Sequence, residues 1–124
     1  MTRYTGNCHC GAIRFEVEAD IERVTECNCS ICSKKGILHV RVQPERFRML
    51  SGDEQLGTYQ FGTRTAKHHF CKRCGIHTFT RPRVAPELYS VNLRCLDGVD
   101  LADFKERIVA FDGRNWEAAA GALK

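Results

Sequence analysis

Apolar residues recur along this chain mostly at every second position, in short runs, and no long stretch keeps helical spacing. Ile13, Phe15 and Val17 alternate with Arg14, Glu16 and Glu18, the pattern of a strand with one wet face. Leu38, Val40 and Val42 repeat it, and Val24 and Thr25 offer a short extended lead toward Cys27. Phe47 to Leu50 reads as a further strand, ended by Ser51-Gly52-Asp53. Leu56 to Phe61 and Ala66 to Cys71 flank Gly62-Thr-Arg-Thr65, which predicts a hairpin.

His77 to Phe79 continues as strand, and Arg81-Pro-Arg-Val-Ala-Pro86 is a loop, because its prolines remove donors and fix the backbone. Leu88 to Leu93 returns to strand, with Leu88, Ser90 and Asn92 on one face and Tyr89, Val91 and Leu93 on the other. Asp100 to Lys105 suits a brief helical turn before a last strand at Ile108 to Phe111. The alanine-rich end from Trp116 leaves a short helix and a frayed tail as alternatives. Short strands between glycine and proline turns make the fold mainly β, and 124 residues without a linker or repeat make it one domain.

Charge alters this picture little. A formal net charge of +4 is mild, and the lysines and arginines are dispersed, so a nucleic-acid partner has weak support. The polar N-terminus runs straight into Cys8, with no apolar signal segment and no stretch of membrane-spanning length anywhere. The expected address is the cytoplasm, where thiols stay reduced.

The eight cysteines carry the chemistry. Seven lie in tight clusters, Cys8/Cys10, Cys27/Cys29/Cys32 and Cys71/Cys74, which suits a metal better than cross-links. Cys8-His-Cys10-Gly11 and Cys71-Lys-Arg-Cys74-Gly75 form a natural four-thiolate pair for a closed structural zinc. A glycine after each last cysteine tolerates the positive φ that turns backbone N–H groups toward sulfur. Joining the two knuckles costs loop-closure entropy of order a few kcal/mol. Structural zinc supplies about 10–16 kcal/mol in small peptides.

Cys27-Asn-Cys-Ser-Ile-Cys32 then stands alone. Three thiolates from one turn hold a zinc ion with one position open, as a catalytic site requires. The alternative on spacing is a second closed site with Cys95 as fourth ligand, and both readings stay open at this point. A zinc on three thiolates is a poor Lewis acid but well suited to exchanging a soft ligand, such as a substrate thiolate. Lys34 and Lys35 would help keep these thiols ionised and attract an anionic partner.

Taken together, Cys8-His-Cys-Gly11, Cys27-Asn-Cys-Ser-Ile-Cys32, Cys71-x-x-Cys-Gly-x-His77, Val91-Asn92 with Cys95-Leu96, and Phe111-Asp-Gly-x-Asn-Trp116 occur in one order. That ordered set resembles the glutathione-dependent formaldehyde-activating enzyme family, which includes the centromere protein V-like proteins. The resemblance implies several coiled antiparallel sheets, with a domain over residues 3–117 and a tail at 118–124. It implies two zinc ions, a structural one on Cys8, Cys10, Cys71 and Cys74 and a catalytic one on Cys27, Cys29 and Cys32. The implied activity is of carbon–sulfur lyase type, condensing glutathione, or another small thiol, with formaldehyde or a related aldehyde to S-hydroxymethylglutathione.

Rival readings are a non-catalytic zinc module contacting nucleic acid or protein, and a thiol redox sensor at Cys27 to Cys32. Lys34, Lys35, Arg64 and Arg94 are candidates to meet the carboxylates of glutathione, weighed against solvated surface charge. His77 is a candidate acid or base, weighed against a core histidine. His9 is expected to face away from the metal, and His68 and His69 fall on opposite strand faces. Asn92, Asp112 and Trp116 carry the resemblance without an assigned role, and Trp116 is read as packing.

Overall fold

The computed structural model describes residues 1–118, so the part of the expected tail from 119 to 124 lies outside the described residues. Ten strands alternate with short helical turns: β1 (Thr2–Asn7), β2 (Arg14–Ala19), β3 (Val24–Cys27), β4 (Leu38–Val42), β5 (Phe47–Ser51), β6 (Leu56–Tyr59), β7 (Lys67–Cys71), β8 (His77–Arg81), β9 (Tyr89–Asn92) and β10 (Ile108–Phe111). One α-helical turn, α1 (Cys32–Lys35), follows the central cysteines and ends at Gly36, whose φ of 66° lets its N–H reach the Cys32 carbonyl. Among the described residues no helix is long and apolar enough to cross a membrane.

The strands form a three-stranded sheet in the order β1-β2-β5 and a seven-stranded sheet in the order β10-β3-β4-β9-β8-β7-β6. All pairings are antiparallel except that of β10 with β3, where Ile108 to Phe111 run alongside Val24 to Cys27. The expected hairpin forms, with Leu56 opposite Cys71 and Tyr59 opposite His68. Thr2 to Asn7 carry no apolar alternation, being polar or small apart from Tyr4. They pair along the whole of β2, with Gly6 opposite Phe15. A Cβ on Gly6 would lie 2.2 Å from the Phe15 ring, so this position has room only for glycine.

The alternating residues read from sequence all face the core. Ile13, Phe15 and Val17 from the small sheet meet Val24, Leu38, Val40, Val42, Phe79 and Val91 from the large one. Phe47 links the sheets, stacking at 5.4 Å on Phe15 and at 4.0 Å on Tyr89. Offset and stacked aromatic pairs of this kind contribute about 0.5–1.5 kcal/mol beyond their area burial.

The opposite face of the large sheet is polar. Register sets Thr25 beside His39, Arg41 beside Ser90, Ser90 beside Thr80 and Thr80 beside His68. These residues share one face because side chains directly opposite each other in a pair point the same way. This row forms the floor of a cleft.

Candidate functional site

The first cysteine group is built where two knuckles meet. The sulfurs of Cys8, Cys10, Cys71 and Cys74 all lie within 4.8 Å of one another. Cys10 Sγ is 3.6 Å from Cys8 Sγ and 3.7 Å from Cys71 Sγ. The edge of a tetrahedron with zinc–sulfur bonds of about 2.3 Å is about 3.8 Å, so this donor set fits zinc. Gly11 and Gly75 both take φ of 79°, as the knuckle reading requires. Backbone N–H groups of Ile13 and Arg73 donate to Cys8 Sγ and Cys71 Sγ at 3.3 and 3.4 Å.

The second group holds Cys27, Cys29 and Cys32, again within 4.8 Å of one another, and among the described residues no histidine or carboxylate joins them. Cys27 ends β3, and α1 begins at Cys32, whose N–H donates to Cys29 Sγ at 3.3 Å. Hydrogen bonding among the sulfurs splits their acidities. Donation from Cys27 and Cys32 holds Cys29 down to about 2, while donation to Cys29 pushes Cys27 up, and bonding to Cys27 and Cys29 pushes Cys32 up. Three adjacent thiolates require a cation, which is the donor chemistry of a soft metal site.

Cys95 is not part of this group. It is buried, donates to the His77 carbonyl at 3.4 Å, and is pushed up to about 12 by burial and then by the charges of Cys8 and Cys74. It therefore sits beside the first cluster, and the closed-site alternative loses its fourth ligand.

A loop from β10 wraps the second group. Asn28 donates to Asp112 Oδ1 at 3.0 Å, and its own Oδ1 accepts from the Arg114 N–H at 3.1 Å. Gly113 passes so close that a Cβ there would lie 2.5 Å from Cys27 Sγ and 2.8 Å from Cys29 Cβ. Asp112, which had no role in the sequence reading, is thus part of a clamp on the cysteine turn.

Above the three sulfurs opens a cleft of about 440 Å³, whose lining includes Cys27, Cys29, Cys32, His39, Arg41, Phe61, His68, Arg114 and Trp116. Sequence reasoning missed His39, although its place opposite the core-facing Leu38 and Val40 marked it as a residue of the other face. Its Nε2 lies 3.3 Å from Cys32 Sγ and its Nδ1 is 2.8 Å from Ser90 Oγ. A metal-bound Cys32 thiolate would only accept, which would place the proton on Nε2 and leave Nδ1 to accept from the serine hydroxyl. Burial pushes His39 down to about 4, which keeps the ring neutral. His68 stacks on Phe61 at 5.5 Å, and its buried Nδ1 has no partner among the described residues. His69 faces the other way and bonds Thr58 Oγ1 at 3.0 Å, as its place on the strand predicts.

Lys34 and Lys35 do not line the cleft. Lys34 is exposed, and Lys35 Nζ donates to His77 Nδ1 at 3.2 Å, so His77 passes its own Nε2 proton to Thr80 Oγ1 at 2.8 Å. His77 is a core histidine, pushed down to about 2 by burial and then by the Lys35 charge. Arg94 donates to the Gly36 carbonyl at 3.0 Å, and Arg64 occupies the β6–β7 turn with φ of 59°. Asn92 caps the turn after β9 through the Arg94 N–H at 3.2 Å and donates to the His77 carbonyl at 3.0 Å. His9 is exposed, as expected.

Fold and site together define a small mainly β protein with two cysteine clusters able to hold zinc, one of them opening onto a cleft. The chain belongs to the glutathione-dependent formaldehyde-activating enzyme family, whose model matches residues 3–112. It is similar to a Rhodobacter sphaeroides protein of known crystal structure, at 42% identity and a TM-score of 0.79 over 84% of this chain and 97% of that one.

Proposed function

We propose that this chain joins a small thiol, glutathione in the first instance, to formaldehyde or a related aldehyde. The product is S-hydroxymethylglutathione or its analogue, and the reaction is of carbon–sulfur lyase type run toward addition. One observation carries this reading: among the described residues three sulfurs that no fourth ligand atom joins as a group, His39 Nε2 being near Cys32 alone, open onto a cleft. The four-sulfur group, by contrast, is read as structural.

Zinc held by Cys27, Cys29 and Cys32 supplies, when bound, a soft cationic point that favours the thiolate form of a substrate thiol. The remaining work falls to the chain. His39, held by Ser90, fixes Cys32, and the clamp of Asn28 with Asp112 and Arg114 holds the cysteine turn. Lys34 and Lys35 follow Cys32 on α1 outside the cleft as a positive flank; burial lowers the Lys35 pKa, and the nearby Cys32 charge offsets only part of this. In the addition the substrate sulfur bonds to the carbonyl carbon as the C=O π bond breaks. The thiol proton ends on the new hydroxyl oxygen, so neither oxidant nor reductant is needed. Holding both reactants in one cleft contributes mainly through proximity.

The test is NMR exchange spectroscopy on glutathione and formaldehyde with substoichiometric zinc-loaded protein. Exchange with S-hydroxymethylglutathione is expected to quicken, and Cys29→Ser to lose that effect while keeping its fold. Acceleration with another thiol only would leave the mechanism and change the substrate. A fully zinc-loaded protein that accelerates no thiol–aldehyde pair would overturn the enzyme reading in favour of a binding module.

A further inference from the structure

Apart from the cysteine sulfurs, the charged side chains facing the cleft among the described residues are all cationic. Arg41, Arg83 and Arg114 line it, together with the apolar Phe61, Pro82, Val84, Phe111 and Trp116, and no aspartate or glutamate does. Two of the three guanidiniums are already engaged. Arg83 Nη2 donates to Glu117 Oε1 at 2.9 Å and lies 3.6 Å from the Trp116 ring centre. Arg114 Nε donates to the Asn28 carbonyl at 2.8 Å.

Arg41 is in a different position. Among the described residues Arg41 has no hydrogen-bond or ion-pair partner, and its exposed side chain borders the cleft. Asp20 and Glu22 border a smaller depression that Arg41 shares, but among the described residues neither forms an ion pair with Arg41. Arg41 stands on the same face of β4 as His39, two residues and so about 7 Å further along the strand. His39 touches Cys32. A guanidinium fork takes a carboxylate through two parallel N–H···O bonds. Among the described residues the cleft therefore offers a carboxylate receptor on its floor, on the same strand face as His39, and no carboxylate to pair with an ammonium.

We infer that the cleft selects its thiol by a carboxylate that Arg41 binds, and is indifferent to an amino group. This rests on the thiol–aldehyde reading above and narrows its substrate class to thiol acids. Glutathione binds through a carboxylate with its amine left in solvent, and N-acylated or amine-free thiol acids are accepted equally.

Trp116 is the sole tryptophan of the chain and lines the cleft, so its fluorescence reports occupancy of the zinc-loaded protein. The probes are glutathione, N-acetylglutathione, 3-mercaptopropionate, 2-mercaptoethanol and cysteamine. N-acetylglutathione is expected to bind within about twofold of glutathione. 3-Mercaptopropionate is expected to bind about tenfold more tightly than 2-mercaptoethanol or cysteamine, the low end for a hydrogen bond to a charged group. Arg41→Gln is expected to erase that preference, and Arg41→Lys to keep part of it. Loss of binding on N-acetylation, or no preference for the acid in the wild type, overturns the inference while thiol binding itself leaves the reaction class standing. A folded Arg41→Gln protein with undiminished affinity for the acids also overturns it. If Arg41→Gln does not fold, Arg41→Lys and the wild-type probe series decide. If no thiol is bound at all, the inference falls together with the reading beneath it.

Discussion

Cys8, Cys10, Cys71 and Cys74 bring sulfurs from knuckles separated by 61 residues at the Cys10–Cys71 contact, whereas Cys27, Cys29 and Cys32 come from a single turn. Cys8, Cys71 and Cys95 are part of the hydrophobic core cluster, with Cys74 packed against it, but none of the three central cysteines belongs to that cluster. Glycine also serves the two groups in different ways. Gly11 and Gly75 matter through their positive φ, since a Cβ on either would meet nothing within 4 Å. Gly113 matters because the space a side chain would take is filled by Cys27 and Cys29. The first set thus ties two distant segments together through the buried Cys8 and Cys71 while Cys10 stays exposed. The second lies within one turn, with Cys32 buried and a loop laid over it. Ions at the two places should differ in how firmly folding depends on them.

Cys71→Ser tests that contrast most severely. It removes a buried ligand linking β7 to the N-terminal knuckle, and metal binding at such a site is folding free energy of about 10 kcal/mol or more. The expected outcome is insoluble protein or a lost far-ultraviolet circular dichroism spectrum, and a native spectrum with full zinc content would reverse the structural assignment. Mild chelation asks the same question without mutation. About half of the bound zinc should leave while the spectrum stays native, whereas simultaneous loss of both ions with unfolding would make the two sites equivalent. Gly113→Ala is expected to have the smallest effect. The added methyl presses on Cys27 and Cys29, and overpacking of this kind typically costs about 1–3 kcal/mol. About a tenfold weaker hold on the labile zinc should follow, read by competition with a chromophoric chelator, with the firmly held ion unaffected.

The knuckles were legible because their ligands and glycines are neighbours in sequence, and strand faces were legible because alternation is local. His39 and Arg41 were present in the same alternating run as Leu38, Val40 and Val42, but only register with β9 shows what their polar face meets. The β10–β3 pair left no local sign, since a parallel pairing places no turn between its strands. Nor did the anion-binding side of the cleft. Lys34, Lys35, Arg64 and Arg94 are as basic as Arg41 and Arg114, and composition cannot tell which cations line a cleft assembled from distant segments. Spacing leaves Cys95 either a buried free thiol or a fourth ligand, and the structure has it buried and free, away from Cys27, Cys29 and Cys32.

The clamp between Asn28 and Asp112 spans 84 residues, and this has a consequence for the newborn chain. At about 5–20 residues per second, the ribosome needs about 4–17 s after making Asn28 to produce its partner. Through that interval Cys27, Cys29 and Cys32 exist without the loop that covers them, so how long these thiols stay uncovered is set by the pace of synthesis.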